Sequence, residues 1–210
     1  MRFDLHVHTD LSPCSSLSLG DILRHARRMG LDGVCLTDHG TTAVRHQVRE
    51  GVQDDGLCVV IGMEYETAEG DFLVFRPSAV TEEDLPPGLP ARELLHRVER
   101  AGGAAVGAHP FRASRPVMGG IWGKGLCRVV EAHNGRNTAQ ENRQAAELAA
   151  RRKLPATGGS DAHRLDELGR AVTRFEVPVR SRQELVWALL AGLCRPAGAI
   201  LSPLSLRSAA

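Results

Sequence analysis

The sequence predicts an α/β protein: a parallel sheet with helices packed outside it, wound into a small or distorted barrel. Short apolar runs alternate with amphipathic segments from one end to the other, the pattern of repeated βα units. About seven such units fit in the 210 residues, which is short for a full eight-fold barrel. Composition agrees, since 42% hydrophobic and 24% charged residues describe an ordinary globular chain with enough material for one sizeable core.

The strand candidates are the runs Phe3–Val7, Gly33–Leu36, Leu57–Ile61, Phe72–Phe75, Ala104–Ala108, Arg128–Ala132, Leu154–Thr157 and Val172–Val177, several flanked by glycine as buried strands commonly are. Between the first two, Ser18–Met29 sets Leu19, Ile22, Leu23, Ala26 and Met29 on one helical face, with Gly30 as the stop. Ala91–Ala101 repeats this with Leu94, Leu95 and Val98, and stops at Gly102-Gly103. Thr138-x-x-Glu141 and Ser181-x-x-Glu184 read as capping boxes opening two later helices. Ser78–Pro90, rich in Pro, Asp and Glu, reads as a surface loop. The expected organisation is one domain over residues 1–200 and a frayed tail over 201–210.

Several functions are disfavoured at this level. A net charge of +1 gives no bulk attraction for a polyanion, and the excess of Arg over Lys (only Lys124 and Lys153) reads as compositional bias. With 4% aromatic residues there are few platforms for stacking bases, so a long nucleic acid is not the expected partner. No apolar run reaches the length of a membrane span, and MRFDLHVHTD lacks the form of a secretory signal. Cys14, Cys35, Cys58, Cys127 and Cys194 are odd in number and contain no CxxC pair. Cys35, Cys58 and Cys127 read as small core residues, and a cytoplasmic protein without a disulfide framework is expected.

Nine histidines are the anomaly. Chemistry in a parallel α/β barrel collects at the C-terminal ends of strands. Here the first run leads into His6-Val7-His8, whose alternation puts both imidazoles on one face. The second ends in Thr37-Asp38-His39, the third in Gly62-Met63-Glu64, and a later one in His109-Pro110. Gly158-Gly159-Ser160-Asp161-Ala162-His163 follows another. HxH supplies two nitrogen ligands from a strand, and carboxylates such as Glu64 and Asp161 can bridge or complete metal shells. Several ions close together would polarise a phosphoryl oxygen and lower the pKa of a bound water, giving a metal-activated hydroxide. No GxSxG elbow, phosphate-binding Walker loop or GxGxxG occurs to indicate another chemistry.

DLHVHT at 4–9, TDH at 37–39, Glu64, HPF at 109–111 and GGSDAH at 158–163 resemble the motifs of the PHP (polymerase and histidinol phosphatase) family, in family order and over about residues 3–196. The resemblance implies a distorted (β/α)7 TIM-like barrel and a metal-dependent phosphoesterase with two or three divalent ions, zinc, manganese or iron. Carried over, His6, His8, Glu64 and Asp161 are the expected ligands of the first metal; Glu64 bridges to a second that also takes His109; His39 and His163 serve a third. Two positions depart from that pattern. Cys14 stands where many members have a histidine, and is open between thiolate ligand and loop residue. Asp71 stands near another expected histidine, where a carboxylate would favour a harder metal and a turn aspartate is the simple alternative. Asp38 is read as orienting a histidine rather than ligating.

Arg112, just after HPF, would place a guanidinium near the ions as a bidentate phosphate contact, with Arg136 a second candidate. Asp161, His163 and Arg112 are thus the expected catalytic groups, and Arg112, His133 and Asn134 the expected substrate contacts. Glu131 and His133 share strand parity and could both enter the pocket or be satisfied polar groups. His25, His46 and His96 read as solvated helix positions, and Arg151-Arg152-Lys153 as complementing a helix C-terminus. The expected activity is hydrolysis of a small phosphorylated metabolite or nucleotide. Its rivals are a nuclease or oligonucleotide phosphodiesterase, and a metal-binding module acting through a partner without catalysis. An amidohydrolase ranks behind these, because neither lysine follows a suitable strand to bridge metals.

Overall fold

The structure, a computed structural model, describes residues 1–76 and 84–198. Part of the expected loop at 78–90 and the whole expected tail at 201–210 lie outside them. In chain order the elements are β1 (Arg2–Val7), α1 (Leu19–Met29), β2 (Gly33–Leu36), a 3-10 turn (Ala43–His46), β3 (Gly51–Val52), β4 (Cys58–Ile61), β5 (Met63–Thr67) and β6 (Gly70–Phe75). There follow α2 (Ala91–Arg100), β7 (Ala104–Gly107), α3 (Gly119–Gly123), β8 (Val129–Asn134), α4 (Ala139–Arg152), β9 (Ala156–Gly159), β10 (Ala171–Phe175), α5 (Arg182–Leu190) and β11 (Cys194–Gly198).

Local chemistry sets the helix ends. Ser18 caps α1 by accepting from the Asp21 N–H at 3.1 Å, and Gly30 ends it in the left-handed region at φ 68°. Thr138 and Glu141 form the reciprocal capping box of α4, while Ser181 accepts from the Glu184 N–H to open α5. Arg151 and Arg152 close α4, where cations complement the exposed carbonyls. His46 falls on the 3-10 turn rather than an α-helix, and His25 is half-buried on α1.

The expected closed barrel is not what the hydrogen bonding forms. The strands make two open sheets, β11-β10-β1-β2-β4-β3 and β5-β6-β7-β8-β9. Nor are they all parallel. β1, β2 and β4 run parallel, as do β7, β8 and β9, but β10 is antiparallel to β1 and β6 is antiparallel to both β5 and β7. The cause is visible at Gly62. The third apolar run does not continue into a helix; Gly62 separates β4 from β5, and β5 turns straight back into β6 through the Thr67–Gly70 pair. A Cβ on Gly62 would come within 2.6 Å of the Phe75 ring, so the change of sheet depends on a residue without one. Single parallel bridges, Val7 to Ala162 and His39 to Glu64, tie the sheets together at the strand ends.

Three apolar clusters fill the layers. One, with Phe3, Leu5, Val60, Leu73, Phe75 and Val106, draws on both sheets and includes Leu185 and Leu189 of α5. A second packs α2, α3 and α4 on the outer face of the five-stranded sheet through Leu94, Trp122 and Leu148. The third packs Ile22 and Ala26 of α1 on Val34 and Leu36 of the other sheet. Cys35, Cys58 and Cys127 are buried, as expected of small core residues, and Cys194 is buried as well. Among the described residues no helix is long and apolar enough to cross a membrane.

β9 and β1 approach each other closely at Gly159. A Cβ on Gly159 would lie 2.5 Å from His6 Cβ, 3.0 Å from the His6 nitrogen and 2.8 Å from Glu131 Oε1. Gly159→Ala therefore forces β1 and β9 apart, with an expected loss of about 1–3 kcal/mol in urea unfolding; an unchanged midpoint would contradict this packing.

Candidate metal centre

Strands of both sheets, and the loops that follow them, deliver polar residues to one cluster. His6 comes from β1, His8 from the position just past its end, and Glu64 from β5. Loops after β2, β7 and β9 bring His39, His109, Asp161 and His163. Nε2 of His6 and Nε2 of His8 are 3.1 Å apart, and Glu64 Oε2 is 3.1 Å from each. Asp161 Oδ1 lies 3.5 and 3.4 Å from the same two nitrogens. The other Glu64 oxygen is 3.0 Å from His109 Nε2, and Oε2 is 3.3 Å from His39 Nδ1. Three overlapping donor groups result: His6, His8, Glu64 and Asp161; Glu64, Asp71 and His109; and His8, His39 and His163.

Two of these residues sit in backbone conformations that L side chains rarely adopt. His109 has φ 29° and Asp161 has φ 56°. Left-handed backbone costs of order 1–3 kcal/mol per non-glycine residue and persists where the surroundings over-determine it. Here the Asp161 N–H is held by the His6 carbonyl at 2.7 Å and the His109 N–H by Glu131 Oε2 at 2.8 Å. The strain aims both side chains inward.

The donor set fits a divalent cation on direct structural grounds. His6 Nδ1 is held by Glu131 Oε1 at 3.1 Å, and His8 Nδ1 by Ser12 Oγ at 3.2 Å, whose hydroxyl donates to Asp38 Oδ1 at 2.6 Å. A histidine whose Nδ1–H is engaged presents the Nε2 lone pair, here into the cluster. Two lone pairs and two carboxylate oxygens crowded together repel unless a cation lies among them. The Nδ1 atoms of His39 and His109 are also buried without a hydrogen-bond partner.

Electrostatics divide the imidazoles. Burial works against a charged His6, yet Asp161, Glu64 and Glu131 outweigh it and hold its pKa well above the usual histidine value. His8 is raised in the same way by Asp161 and Glu64 against its own burial. Glu64 and Asp161 are depressed far below ordinary carboxylates; burial opposes this, and the surrounding histidines, with Arg112 at Asp161, prevail. Burial pushes His39 down, and burial followed by the His8 charge brings His163 down to about 4. Burial also raises the Cys14 thiol.

The remaining expected residues fall into place unevenly. Arg112 Nη2 donates to Asp161 Oδ2 at 2.7 Å and to Asn134 Oδ1 at 2.8 Å, and its Nε to Asn137 Oδ1 at 3.0 Å. Asn134 is fully buried, and its amide is used on Arg112 and on Glu131 Oε2 at 2.9 Å. Cys14 Sγ is 3.1 Å from His163 Nε2, and Arg136 Nη1 is 2.8 Å from His163 Nδ1. Asp71 is buried with its Oδ2 4.0 Å from His109 Nε2. No hydrogen bond or ion pair among the described residues joins His133 to the cluster. The register shift between Glu131 and His133 breaks the alternation on which their shared parity rested.

Sequence reasoning missed Ser12, Thr9 and Arg115. Thr9 donates its N–H and hydroxyl to Asp38 at 2.7 and 2.8 Å, so that with Ser12 it fixes the carboxylate behind His8. The only sequence signal was their place in the loop beside HxH. Arg115 clamps Asp71, and nothing in HPFRASR distinguished it from Arg112.

Fold and site together define an α/β protein whose buried His/carboxylate cluster could hold metal ions. The chain belongs to the PHP domain family, whose model matches residues 4–162, and a model described as PHP-associated matches residues 139–194. It is thereby a metal-dependent phosphoesterase, a hydrolase acting on phosphate ester bonds. An uncharacterised Methanocaldococcus jannaschii protein, MJ1587, is 31% identical over 121 residues, 53% of this chain and 68% of that one. Among solved structures, PsfC from Pseudomonas syringae superposes with a TM-score of 0.74 at 22% identity, over 99% of this chain and 95% of that one. The lesion-specific endonuclease Q of Pyrococcus furiosus gives a TM-score of 0.71 at 19% identity, over 91% of this chain and 56% of that one.

Two outcomes are expected. Glu131→Gln, which weakens the hold on His6 Nδ1, lowers metal affinity by about 10- to 100-fold in calorimetric titration, and an unchanged affinity would refute the orienting role. Protons on His6 and His8 must leave before Nε2 can bind an ion. Because those pKa values are raised, proton competition begins above the usual histidine value of about 6.5, and affinity falls as pH drops toward that value. Titrations in buffers of different ionisation enthalpy should show proton release; affinity independent of pH would contradict the assignment.

Proposed function

We propose that the protein hydrolyses a small phosphorylated metabolite or nucleotide on one domain spanning residues 1–200, using two or three divalent ions of zinc, manganese or iron. The observation that supports this most is Arg112. Its guanidinium is fixed by Asp161, Asn134 and Asn137 yet its side chain keeps 21% of its surface exposed, so it stands between the donor cluster and solvent. The Nε and Nη2 donors are committed to those three residues, so a phosphate reaching the cluster would meet the Nη1 donors of a guanidinium already oriented, at little further cost in side-chain entropy.

The ligand roles in this reading follow the geometry. His6, His8, Glu64 and Asp161 would hold the first ion; Glu64 and His109, with Asp71 as the third donor once Arg115 releases it, a second; and His8, His39 and His163, with Cys14 adjacent, a third. Bound ions would supply Lewis-acid polarisation of the phosphoryl group and activation of water. Asp161 turns one oxygen to His6 and His8 and the other to Arg112, coupling the position of phosphate to that of the first ion. His163, kept neutral by burial, offers a lone pair at neutral pH. Arg136 beside it extends the cationic rim. Net charge of +1 and few aromatic residues favour a small substrate over a long strand. Five unpaired cysteines support a cytoplasmic setting. The likeness to endonuclease Q favours a second reading, cleavage of a nucleic-acid phosphodiester.

A panel of phosphorylated metabolites, nucleotides and short oligonucleotides, assayed with each metal, separates the two. Hydrolysis of a small monoester or nucleotide that stops on chelation is expected. Arg112→Ala should reduce kcat/KM by roughly 100-fold or more. Cleavage of oligonucleotides alone would favour the nuclease, and no hydrolysis with any metal would end the proposal.

A further inference from the structure

Of the three donor groups, one has both oxygens of a carboxylate taken by a cation of the chain. Arg115 donates its Nε–H to Asp71 Oδ2 at 2.7 Å and an Nη2–H to Asp71 Oδ1 at 2.5 Å, engaging both carboxylate oxygens in a bidentate pair. Asp71 Oδ2 stays 4.0 Å from His109 Nε2, whereas that nitrogen lies 3.0 Å from Glu64 Oε1. Guanidinium and metal ion would compete for the same oxygens.

The loop after β7 explains how the pair arises. The Arg112 N–H bonds the His109 carbonyl at 2.9 Å, and the Arg115 N–H bonds the Arg112 carbonyl at 3.1 Å. Successive turns of three residues thus deliver His109, Arg112 and Arg115 to the same rim. Their fates differ. Arg112 is 21% exposed and fixed by three residues; Arg115 is 45% exposed and enters from solvent to meet a buried carboxylate. Glu66 Oε1, half-exposed and 3.8 Å from Arg115 Nη2, offers a second seat outside the cluster.

Charge balance points the same way. Glu64, Asp71, Glu131 and Asp161 are the buried carboxylates in contact with the donor imidazoles. Arg115 offsets Asp71 and Arg112 offsets Asp161, leaving Glu64 and Glu131 for one divalent ion. A further ion on the Glu64, Asp71 and His109 group would leave the site with surplus positive charge while Arg115 remained.

We propose that Arg115 is a built-in cation for that group: it keeps Asp71 out of metal coordination, and the group takes an ion only when Arg115 leaves. The proposal rests on the metal-centre reading above and concerns occupancy alone, so its test needs no substrate.

The test is manganese content after dialysis from excess, by elemental analysis, with thermal unfolding of metal-free and manganese-loaded protein alongside. Arg115→Gln should retain one more ion per chain than the unaltered protein. Asp71→Asn should retain the same number as the unaltered protein, and the double variant should lose the extra ion. Metal-free Arg115→Gln leaves Asp71 buried and unpaired, so its Tm should fall and manganese should restore it. Equal content in Arg115→Gln and the unaltered chain, loss of an ion in Asp71→Asn, or a lowered Tm that manganese does not restore would each overturn the proposal alone. An unaltered protein that retains no ion would overturn the metal-centre reading with it.

Discussion

Glu64 gathers the site. One carboxylate, 1% exposed, faces His6 and His8 at 3.1 Å and His39 at 3.3 Å through one oxygen, and His109 at 3.0 Å through the other. An ionised carboxylate this deep is costly unless opposite charge is close, and mutual repulsion limits how many imidazoles can be protonated together. A divalent cation between Glu64 and the histidines meets both conditions. The strand ends, the turn at Gly62 and the loops after β7 and β9 can all be understood as bringing donors to that carboxylate.

The fold bears a cost for this convergence. His109 and Asp161 occupy left-handed backbone, and β9 approaches β1 closely enough that Gly159 has no room for a Cβ. Each strained residue is held by a hydrogen bond from its own N–H to a neighbouring part of the site, the His6 carbonyl or the Glu131 carboxylate. Strain and function are therefore coupled: relaxing either loop would move a donor away from Glu64.

Much of this was legible in the sequence because the signals were local. HxH on a strand fixes two imidazoles on one face, and the polar residues after β2, β7 and β9 follow apolar runs that could only be strands. Capping signals at Thr138 and Ser181 marked helix starts that the structure has. What was not legible depended on pairing between distant segments. Period and composition do not say that Gly62 passes the chain to a second sheet, that β6 and β10 run antiparallel to their neighbours, or that β11 adds an edge strand. Parity could not place His133, because a register shift is a property of two strands. Arg115 and Ser12 were invisible for the same reason, since their roles exist only once Asp71 and Asp38 are beside them.

Anomalous diffraction from crystals grown with zinc, recorded on both sides of the zinc edge, locates any ion among these donors. A peak is expected within the space bounded by His6 Nε2, His8 Nε2, Glu64 and Asp161, with the donor atoms drawn in to about 2.0–2.2 Å. An empty position there, with the four side chains remaining at the spacings seen now, would contradict the metal-centre reading.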